Sequence, residues 1–325
     1  MSSAIDDASV ERPNDTAAAS FERVFAHPGK RRVGMIGLGN MGMPMAHNLL
    51  AAEVAAQVSV YGRSAQKLAP VIDAGAALAE TPRALAAASD VLITVLPDLD
   101  PLRELLWGEQ GIVAGVGDAL LIVICSTSSP QGVRELAAEL EQASAGRIRL
   151  LDAPLSGGTD GAEAGRLSIM VGGDAQAFTV AQPLLASMGN PVHLGSLGAG
   201  EVAKACNQMV VASTMVALSE ATVIAERAGL DVARLLECLG GGYAGGRLLE
   251  ARKQRLIDKD YTPTGVARYM IKDLAFARDE AARGGVMTPQ LATLSRLFDD
   301  LGDRGLGEHD LCVTQRYIDE LDRLP

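Results

Sequence analysis

The chain has 325 residues, of which 48% are hydrophobic and 21% are charged, a length that favours two domains and a composition typical of globular proteins. Its net charge of -11 argues against binding to the phosphates of nucleic acids. The four cysteines have neither zinc-site spacing nor a C-x-x-C pair, so we expect no metal site and buried free thiols in a reducing, cytoplasmic location.

The beginning of the chain lacks the features of an ordered or targeting segment. Residues 1–30 are acidic on balance and contain no apolar segment of the kind that a secretory signal has. We expect them to form a disordered extension. The uncharged apolar run from Ala205 to Ser219 is too short and carries Ser, Thr, Asn and Gln, so we also expect no segment that spans a bilayer and no membrane partner.

Strands and helices are predicted to alternate from residue 31 onward. The alternation predicts a Rossmann-type, doubly wound parallel sheet that forms a dinucleotide-binding domain over residues 31–196. Apolar runs predict strands at residues 33–36, 56–64, 90–97, 119–127, 147–158 and 166–173. Periodic segments predict helices at residues 41–52, 64–75, 100–108 and 129–144.

The pattern becomes helical in the last part of the chain. We expect residues 197–325 to form an all-helical domain for substrate binding and oligomerisation, joined to the Rossmann domain by a long hinge helix. Helices are predicted at residues 201–228, 231–239, 246–256, 271–283, 289–300 and 311–324. The first of them is apolar almost all round, which favours burial against a partner, and we expect a homodimer or homotetramer.

A glycine-rich turn follows the first predicted strand. Its G-x-G-x-x-G pattern gives the first glycine a tight turn, the second a close approach to pyrophosphate and the third close packing of helix on strand. The N-terminus of the next helix also favours an anion. The predicted cofactor-binding residues of this turn are Gly37, Leu38, Gly39, Asn40, Met41 and Gly42.

The end of the second strand indicates which dinucleotide binds. An NAD site carries Asp or Glu there, bonded to the ribose 2′-hydroxyl. This chain has Gly62, Arg63 and Ser64 instead. We predict that Arg63 and Ser64 bind the 2′-phosphate of NADP, with NAD as the alternative cofactor.

Six segments in chain order resemble motifs of the β-hydroxyacid dehydrogenase family. They are GLGNMGMPMAHNL from Gly37, VLPD from Val95, CSTSSP from Cys125, DAPLSGGTDG from Asp152, GAGEVAKACNQ from Gly198 and IKDLAFA from Ile271. The resemblance implies that Leu96, Pro97 and Thr127 contact the cofactor and that Lys272 lies near the nicotinamide. It also implies that Ser156, Gly157 and Gly158 bind the substrate and that Lys204 is the catalytic residue.

The residue types suit this chemistry. A lysine in water has a pKa of about 10.4, and burial would lower it toward that of a usable acid and base, which fits Lys204 before an uncharged run. Ser156, Gly157 and Gly158 can present backbone N–H groups and a hydroxyl to a carboxylate. Asn207 and Gln208 lie on the side of the helix that carries Lys204. Which of these two amides faces the substrate stays open.

The chain departs from the family near its C-terminal motif. The segment PTGVARYMIKDL lacks a phenylalanine that the family often has, and it contains Arg268, which we interpret as a surface or salt-bridged residue rather than a substrate contact. The shape of the substrate pocket is therefore expected to differ from that of other members of the family.

These observations predict an NADP-dependent oxidoreductase that transfers a hydride between the cofactor and a short, carboxylate-bearing β-hydroxy acid or its semialdehyde. The alternatives are an imine reductase of the same architecture and a non-catalytic NADP-binding protein. Lys204 argues against the first alternative, because imine reductases usually lack a lysine at this place. The set of Lys204, Ser156, Gly157, Gly158 and Lys272 argues against the second.

Overall fold

The computed structural model describes Phe25 and residues 29–321. The predicted disordered extension, residues 1–30, therefore lies almost entirely outside the described residues, as do residues 322–324 of the last predicted helix. Contacts between residues divide the chain into two compact units, Met1–Glu201 and Val202–Pro325. The domain limits 31–196 and 197–325 stay predictions.

One sheet of nine strands runs through the described part of the first unit. The strands are β1 (Arg31–Ile36), β2 (Ala55–Tyr61), β3 (Ala77–Leu78), β4 (Val91–Thr94), β5 (Leu120–Ile124), β6 (Ile148–Asp152), β7 (Leu155–Ser156), β8 (Leu167–Gly173) and β9 (Gly189–Gly195). Their order is β3-β2-β1-β4-β5-β6-β8-β7, and β9 pairs with β8. The pairs from β3 to β6 are all parallel, which confirms the predicted Rossmann-type sheet.

The far side of the sheet adds an arrangement that the sequence did not predict. β8 runs antiparallel to both β6 and β7, and β9 runs parallel to β8. β6 and β7 pair with β8 one after the other. Between them, the Met170 N–H of β8 donates to the Pro154 carbonyl, which continues the pairing. The sheet is therefore mixed: the strands from β3 to β6 are parallel, and β8 is antiparallel to its neighbours β6 and β7.

Helices cover both faces of this sheet. Neighbouring residues of each central strand belong to different apolar clusters: Val33 and Met35 pack in one and Ile36 in the other. The helices of the first unit are α1 (Gly42–Ala51), α2 (Ala65–Asp73), α3 (Pro82–Ala87), α4 (Leu99–Leu106), α5 (Ile112–Gly115), α6 (Pro130–Ala143), α7 (Gly158–Glu163) and α8 (Ala175–Ala186). α1, α2 and α8 contribute to the first cluster, and α3, α4 and α6 contribute to the second.

The second unit is helical, as predicted. Its core surrounds the fully buried Phe298, and the one β-bridge among its described residues joins Val266 to Asp310. The helices are α9 (Ala199–Arg227), which begins in the first unit, α10 (Val232–Gly240), α11 (Arg247–Asp258), α12 (Arg268–Arg283), α13 (Pro289–Asp303) and α14 (Val313–Leu321).

Two expectations are wrong. By length and composition α9 could cross a membrane, contrary to the expectation that no segment could, although the core helix of a globular protein has the same properties. On α9, Val210 is 59% and Ile224 67% exposed in the single chain, so burial of this helix against a partner stays a prediction. Of the four cysteines, Cys125 and Cys312 are buried, but Cys206 and Cys238 are exposed because they lie on the outer faces of α9 and α10.

Candidate active site

The predicted cofactor-binding segments follow strands that end at the same edge of the sheet. β2, β1, β4 and β5 are adjacent and parallel, so their carboxyl ends lie side by side. The chain leaves β1 toward β2 on one side, whereas β4 lies on the other side, and such a reversal of strand order opens a crevice for a ligand. Four segments meet here, namely the glycine turn after β1, Arg63 and Ser64 after β2, Leu96 and Pro97 after β4, and Thr127 after β5.

The three glycines of the turn have three different surroundings. Gly37 has φ +89°, and a Cβ there would stand 2.1 Å from the Val95 carbonyl oxygen. A Cβ on Gly42 would stand 2.1 Å from the Gly37 carbonyl oxygen, so α1 can begin this close to β1 only with glycine. A Cβ on Gly39 would meet nothing within 4 Å. The first and third glycines thus allow the turn, and the second leaves space for a ligand to reach the backbone.

The N-terminus of α1 is open to an anion. No side chain caps it, and its first turn contains no acidic residue. Leu38 and Met41 are half-buried, while Gly39 and Asn40 are exposed. Exposed backbone N–H groups at a helix N-terminus are a favourable site for phosphate, so the turn fits the pyrophosphate of a dinucleotide.

The segment after β2 offers positive charge and no carboxylate. Arg63 is exposed, and Ser64 is the N-cap residue of α2 without a side-chain capping bond. Lys67, which was not predicted as a site residue, is exposed in the first turn of the same helix. The spacing of Ser64 and Lys67 within one helical turn could have identified it.

The loops after β4 and β5 complete this edge. Leu96 is half-buried against the second apolar cluster and Pro97 is exposed. Thr127 is half-buried between two buried serines. The backbone N–H of Ser128 donates to Oε2 of Glu201 at 3.0 Å, which ties the β5 loop to the start of α9.

Ser156, Gly157 and Gly158 lie where β7 ends. Gly157 has φ +135° and Gly158 has φ +64°, conformations that favour glycine. A Cβ on Gly158 would meet nothing within 4 Å, and both glycines are exposed. The segment therefore presents accessible backbone together with the half-buried Ser156 hydroxyl, a combination that suits a small anion.

Asp152, at the end of β6, caps the start of α9. Its two carboxylate oxygens accept from the backbone N–H of Gly198 at 2.7 Å and of Glu201 at 2.8 Å. Burial raises the pKa of this carboxyl, and the hydrogen bonds from Gly198 and Glu201 oppose the rise. A carboxylate at a helix N-terminus is favourable. Asp152 thus fixes the beginning of the helix that carries Lys204, a role that was not predicted from the sequence.

Within the second unit, Lys204 is buried together with two amide side chains. The lysine is 7% exposed, and its Nζ donates to Oε1 of Gln208 at 2.8 Å. Nδ2 of Asn207 donates to the same oxygen at 3.0 Å. Both amides therefore lie beside Lys204, and Gln208 is the one that contacts it.

A buried carboxylate lies behind Gln208. Nε2 of Gln208 donates to Oδ2 of Asp273 at 2.7 Å, and Nζ of Lys272 donates to Oδ1 of Asp273 at 3.1 Å. Asp273 is only 3% exposed. Lys272 was predicted as a site residue and Asp273 was not, although Asp273 falls at helical spacing with the buried Met270 and Ala277 of α12, a period from which it could have been identified.

Arg268 and the absence of a metal-binding cluster among the described residues restrict which groups can take part in the chemistry of the site. Arg268 is exposed, pairs with Glu308 and stacks over Tyr269, so the interpretation as a salt-bridged surface arginine is confirmed. The hydrogen bonds that its guanidinium donates to Tyr269 and Glu308 raise its pKa. Among residues 29–321 and Phe25, no group of three or more His, Cys, Asp or Glu side chains could hold a metal ion.

Comparison with known proteins identifies the relatives of this chain. Residues 32–224 match the NAD-binding domain of 6-phosphogluconate dehydrogenase, and residues 198–318 match the NAD-binding domain of NADP-dependent 3-hydroxyisobutyrate dehydrogenase. A probable 3-hydroxyisobutyrate dehydrogenase-like protein of Arabidopsis thaliana is 36% identical over 266 residues, which are 82% of either chain. The 2-hydroxy-3-oxopropionate reductase of Escherichia coli is 36% identical over 280 residues, 86% of this chain and 94% of that one.

The solved structures agree with these relatives. The structure of the 3-hydroxyisobutyrate dehydrogenase of Mycobacterium tuberculosis with L-serine superposes with a TM-score of 0.76 at 29% identity, over 89% of this chain and 99% of that one. An imine reductase of Streptomyces aurantiacus matches over 88% and 99% of the two chains with a TM-score of 0.59, but its 21% identity shows the fold alone. The protein is an NAD(P)-dependent oxidoreductase, and it belongs to the β-hydroxyacid dehydrogenase family.

Proposed function

We propose that this protein reduces a short semialdehyde carboxylate to its β-hydroxy acid, or catalyses the reverse oxidation, with NADP as cofactor and Lys204 as general acid and base. The observation that carries the proposal is the buried lysine whose Nζ donates to Gln208. A lysine held away from water in a family of dehydrogenases is a candidate for proton transfer.

The substrate class follows from shared chemistry. The relatives are named for 3-hydroxyisobutyrate and 2-hydroxy-3-oxopropionate, and both compounds carry the reacting oxygen on the carbon β to a carboxylate. Ser156, Gly157 and Gly158 supply accessible donors that suit that carboxylate. A small carboxylate with a β-hydroxyl or aldehyde is therefore the substrate class that we expect.

The proton has a direct route in either direction. In reduction, the Lys204 ammonium donates a proton to the carbonyl oxygen as that oxygen becomes a hydroxyl. In oxidation, the neutral Lys204 amine accepts the hydroxyl proton as the carbonyl forms. The nicotinamide ring, when bound, supplies or accepts the hydride.

Preference for NADP rests on the segment after β2. Arg63 is exposed, the backbone before it is glycine, and no Asp or Glu occurs from Gly62 to Lys67. A guanidinium binds a phosphate with paired hydrogen bonds, whereas a ribose hydroxyl is usually held by a carboxylate. For the turn after β1, the open surroundings of Gly39 and the uncapped start of α1 fit the dinucleotide phosphates.

The first experiment follows NADPH absorbance with a panel of substrates. The panel contains 2-hydroxy-3-oxopropionate, methylmalonate semialdehyde, succinic semialdehyde, glyoxylate and cyclic imines. We expect turnover of at least one aldehyde carboxylate, and none of the imines. Turnover of an imine without any aldehyde would favour the imine reductase alternative, and no turnover despite NADPH binding would favour a non-catalytic protein.

The second experiment replaces the lysine. We expect Lys204→Ala to bind NADPH with an unchanged Kd, because the cofactor contacts that we propose lie elsewhere, but to lower kcat by a factor of about 100 to 10,000, as loss of a general acid does. Titration of NADPH fluorescence measures the Kd, and steady-state kinetics measure kcat. A kcat close to that of the unmodified protein would reject the role of Lys204.

A further inference from the structure

The hydrogen bonds behind Lys204 have a direction that chemistry alone determines. A lysine ammonium can only donate, and an ionised carboxylate can only accept. Gln208 stands between Lys204 and Asp273, at 2.8 Å from the first and 2.7 Å from the second. Its nitrogen must therefore face Asp273, and its oxygen must face Lys204.

Each neighbour of Gln208 supports the same orientation. Nδ2 of Asn207 donates to the amide oxygen at 3.0 Å, on the side of Lys204. The amide nitrogen has the Met270 sulfur at 3.7 Å, a weak acceptor, on the side of Asp273. Rotation of the amide by half a turn would set its nitrogen against the donors of Lys204 and Asn207 and its oxygen against a carboxylate.

Burial makes this orientation rigid. Lys204, Gln208 and Asp273 are buried, so water cannot replace a lost partner at low free-energy cost. Lys272 donates to the second oxygen of Asp273 at 3.1 Å, which supplies the carboxylate with a positive partner. Asp273 therefore accepts hydrogen bonds from a cation on one side and from an amide donor on the other.

We propose that Asp273 and Gln208 are positioning residues that hold the Lys204 ammonium in one direction for proton transfer, Asp273 acting through the orientation of the Gln208 amide. This inference rests on the proposed role of Lys204 as acid and base. It assigns Gln208 to the lysine rather than to the substrate, and it gives the carboxylate of Asp273 a function two hydrogen bonds away from the lysine.

The test exchanges the two polar groups. In Asp273→Asn, the NH2 group of the new amide must face either the NH2 group of Gln208 or the ammonium of Lys272. Two donors then face each other in either orientation, so the Gln208 amide loses its fixed direction. In Gln208→Glu, two carboxylates face each other. The double variant Gln208→Glu with Asp273→Asn has the same net charge as the unmodified protein, and every hydrogen-bonded pair again has one donor and one acceptor. The new carboxylate at position 208 accepts from Lys204, from Asn207 and from the new amide at position 273. The oxygen of that amide accepts from Lys272.

We expect each single variant to lower kcat in the reductive direction by about 10- to 100-fold, the effect of one lost hydrogen bond to a charged group, with an unchanged Kd for NADPH. The kinetic isotope effect with NADPH deuterated at C4 should rise, because the chemical step becomes slower than product release. The kcat of the double variant should be at least about tenfold higher than that of the less active single variant. Single variants with unchanged kcat, or a double variant whose losses simply add, would overturn the inference.

A matched control and a spectroscopic measurement separate positioning from folding. Gln315 is a buried glutamine of the same unit that donates to Thr222 and Leu256, and we expect Gln315→Glu to lower Tm without a change in the isotope effect. With 15N-labelled glutamine, the Gln208 side-chain NH2 should exchange slowly with solvent and should exchange faster in Asp273→Asn. An unchanged exchange rate there would contradict the inference.

The result is distinguishable from failure of the proposed function. If Lys204→Ala retains its kcat, the role of Lys204 as acid and base fails. If Lys204→Ala loses turnover while Asp273→Asn keeps both kcat and the isotope effect of the unmodified protein, only the positioning role fails.

Discussion

At the end of β2, a glycine and an arginine occupy the positions at which an NAD site carries a carboxylate. Arg63 is exposed, and in Arg63→Ala the main positive charge of this segment is removed. We expect the Kd for NADPH to rise at least about tenfold, the value of a charge-assisted hydrogen bond, while the Kd for NADH changes less than about twofold. Fluorescence titration with both cofactors measures the two constants.

The control is Arg103→Ala, which removes an arginine paired with Glu139 on the surface of the same unit. We expect neither Kd to change. Equal losses for NADPH and NADH in Arg63→Ala would mean that the guanidinium does not contact the 2′-phosphate, and the preference for NADP would then need another explanation.

Single residues show where sequence reasoning succeeds and where it stops. The glycines at positions 37 and 42 could be identified from the G-x-G-x-x-G motif. In both, a carbonyl oxygen lies where any other residue would have its Cβ, so only glycine fits. Asp273 was missed because a carboxylate beside a lysine resembles a solvated pair, although its helical spacing indicated burial. The partner of Gln208 could not be predicted, since it lies 65 positions away in the sequence.

At the scale of elements, one carboxylate secures the connection between α11 and α12. Asp310 is fully buried and accepts from Thr264 Oγ1 at 2.6 Å, with Arg252 at 3.3 Å and Arg255 at 3.6 Å. Replacement by alanine leaves two arginines without this partner, and such a loss costs about 3–5 kcal/mol in unfolding free energy. We expect Asp310→Ala to be destabilised by that amount in urea unfolding.

The same carboxylate predicts a dependence of stability on pH. Burial by itself would raise the pKa of Asp310, but hydrogen bonds from Thr264 and Cys312 and the charge of Arg252 lower it overall. Because the folded-state pKa is depressed, this stabilisation is present above the ordinary aspartate pKa and is lost as the pH falls through the folded value. The difference in unfolding free energy between the unmodified protein and Asp310→Asn should therefore shrink in acid.

An exposed pair serves as the control for this measurement. Arg316 and Glu320 form a surface ion pair one helical turn apart on α14, and such pairs contribute about 0–1 kcal/mol. We expect Glu320→Gln to leave the unfolding free energy nearly unchanged at every pH. A difference for Asp310→Asn that stays constant down to acid pH would contradict the assigned cause.

Elements also differ in how well their sequences predict them. Long helices and buried strands were predicted because their periods are local properties of the chain. β3 has only two residues, and β9 begins and ends with glycine and contains Pro191, so neither has a strand pattern. The antiparallel direction of β8 depends on pairing with β6, which no local pattern records.

At the scale of the whole molecule, an uncharged line of residues runs along the outer face of α9, with the exposed Glu220 beside it. We name this line the α9 stripe; it contains Val210, Thr214, Ala217, Ala221 and Ile224. The spacing of three and four residues places them along one line of the helix. Apolar faces of this length are usually covered in the native assembly.

A second copy of the chain is the partner that we expect for the α9 stripe. Two identical helices related by a twofold axis present the same residues to each other, and small side chains such as Ala217 and Ala221 allow close approach. The oligomer therefore remains a prediction of a homodimer or homotetramer, now with a named surface.

Charges placed on the α9 stripe should weaken that association. We expect the double variant Val210→Glu with Ile224→Glu to shift the mass in sedimentation equilibrium toward the monomer, because each interface would then bury like charges against each other. Met287 is an exposed apolar residue of the same unit outside the stripe, and Met287→Glu should keep the mass of the unmodified protein. If the stripe variant keeps that mass as well, the contact between copies lies on another surface, and the apolar composition of α9 does not serve self-association.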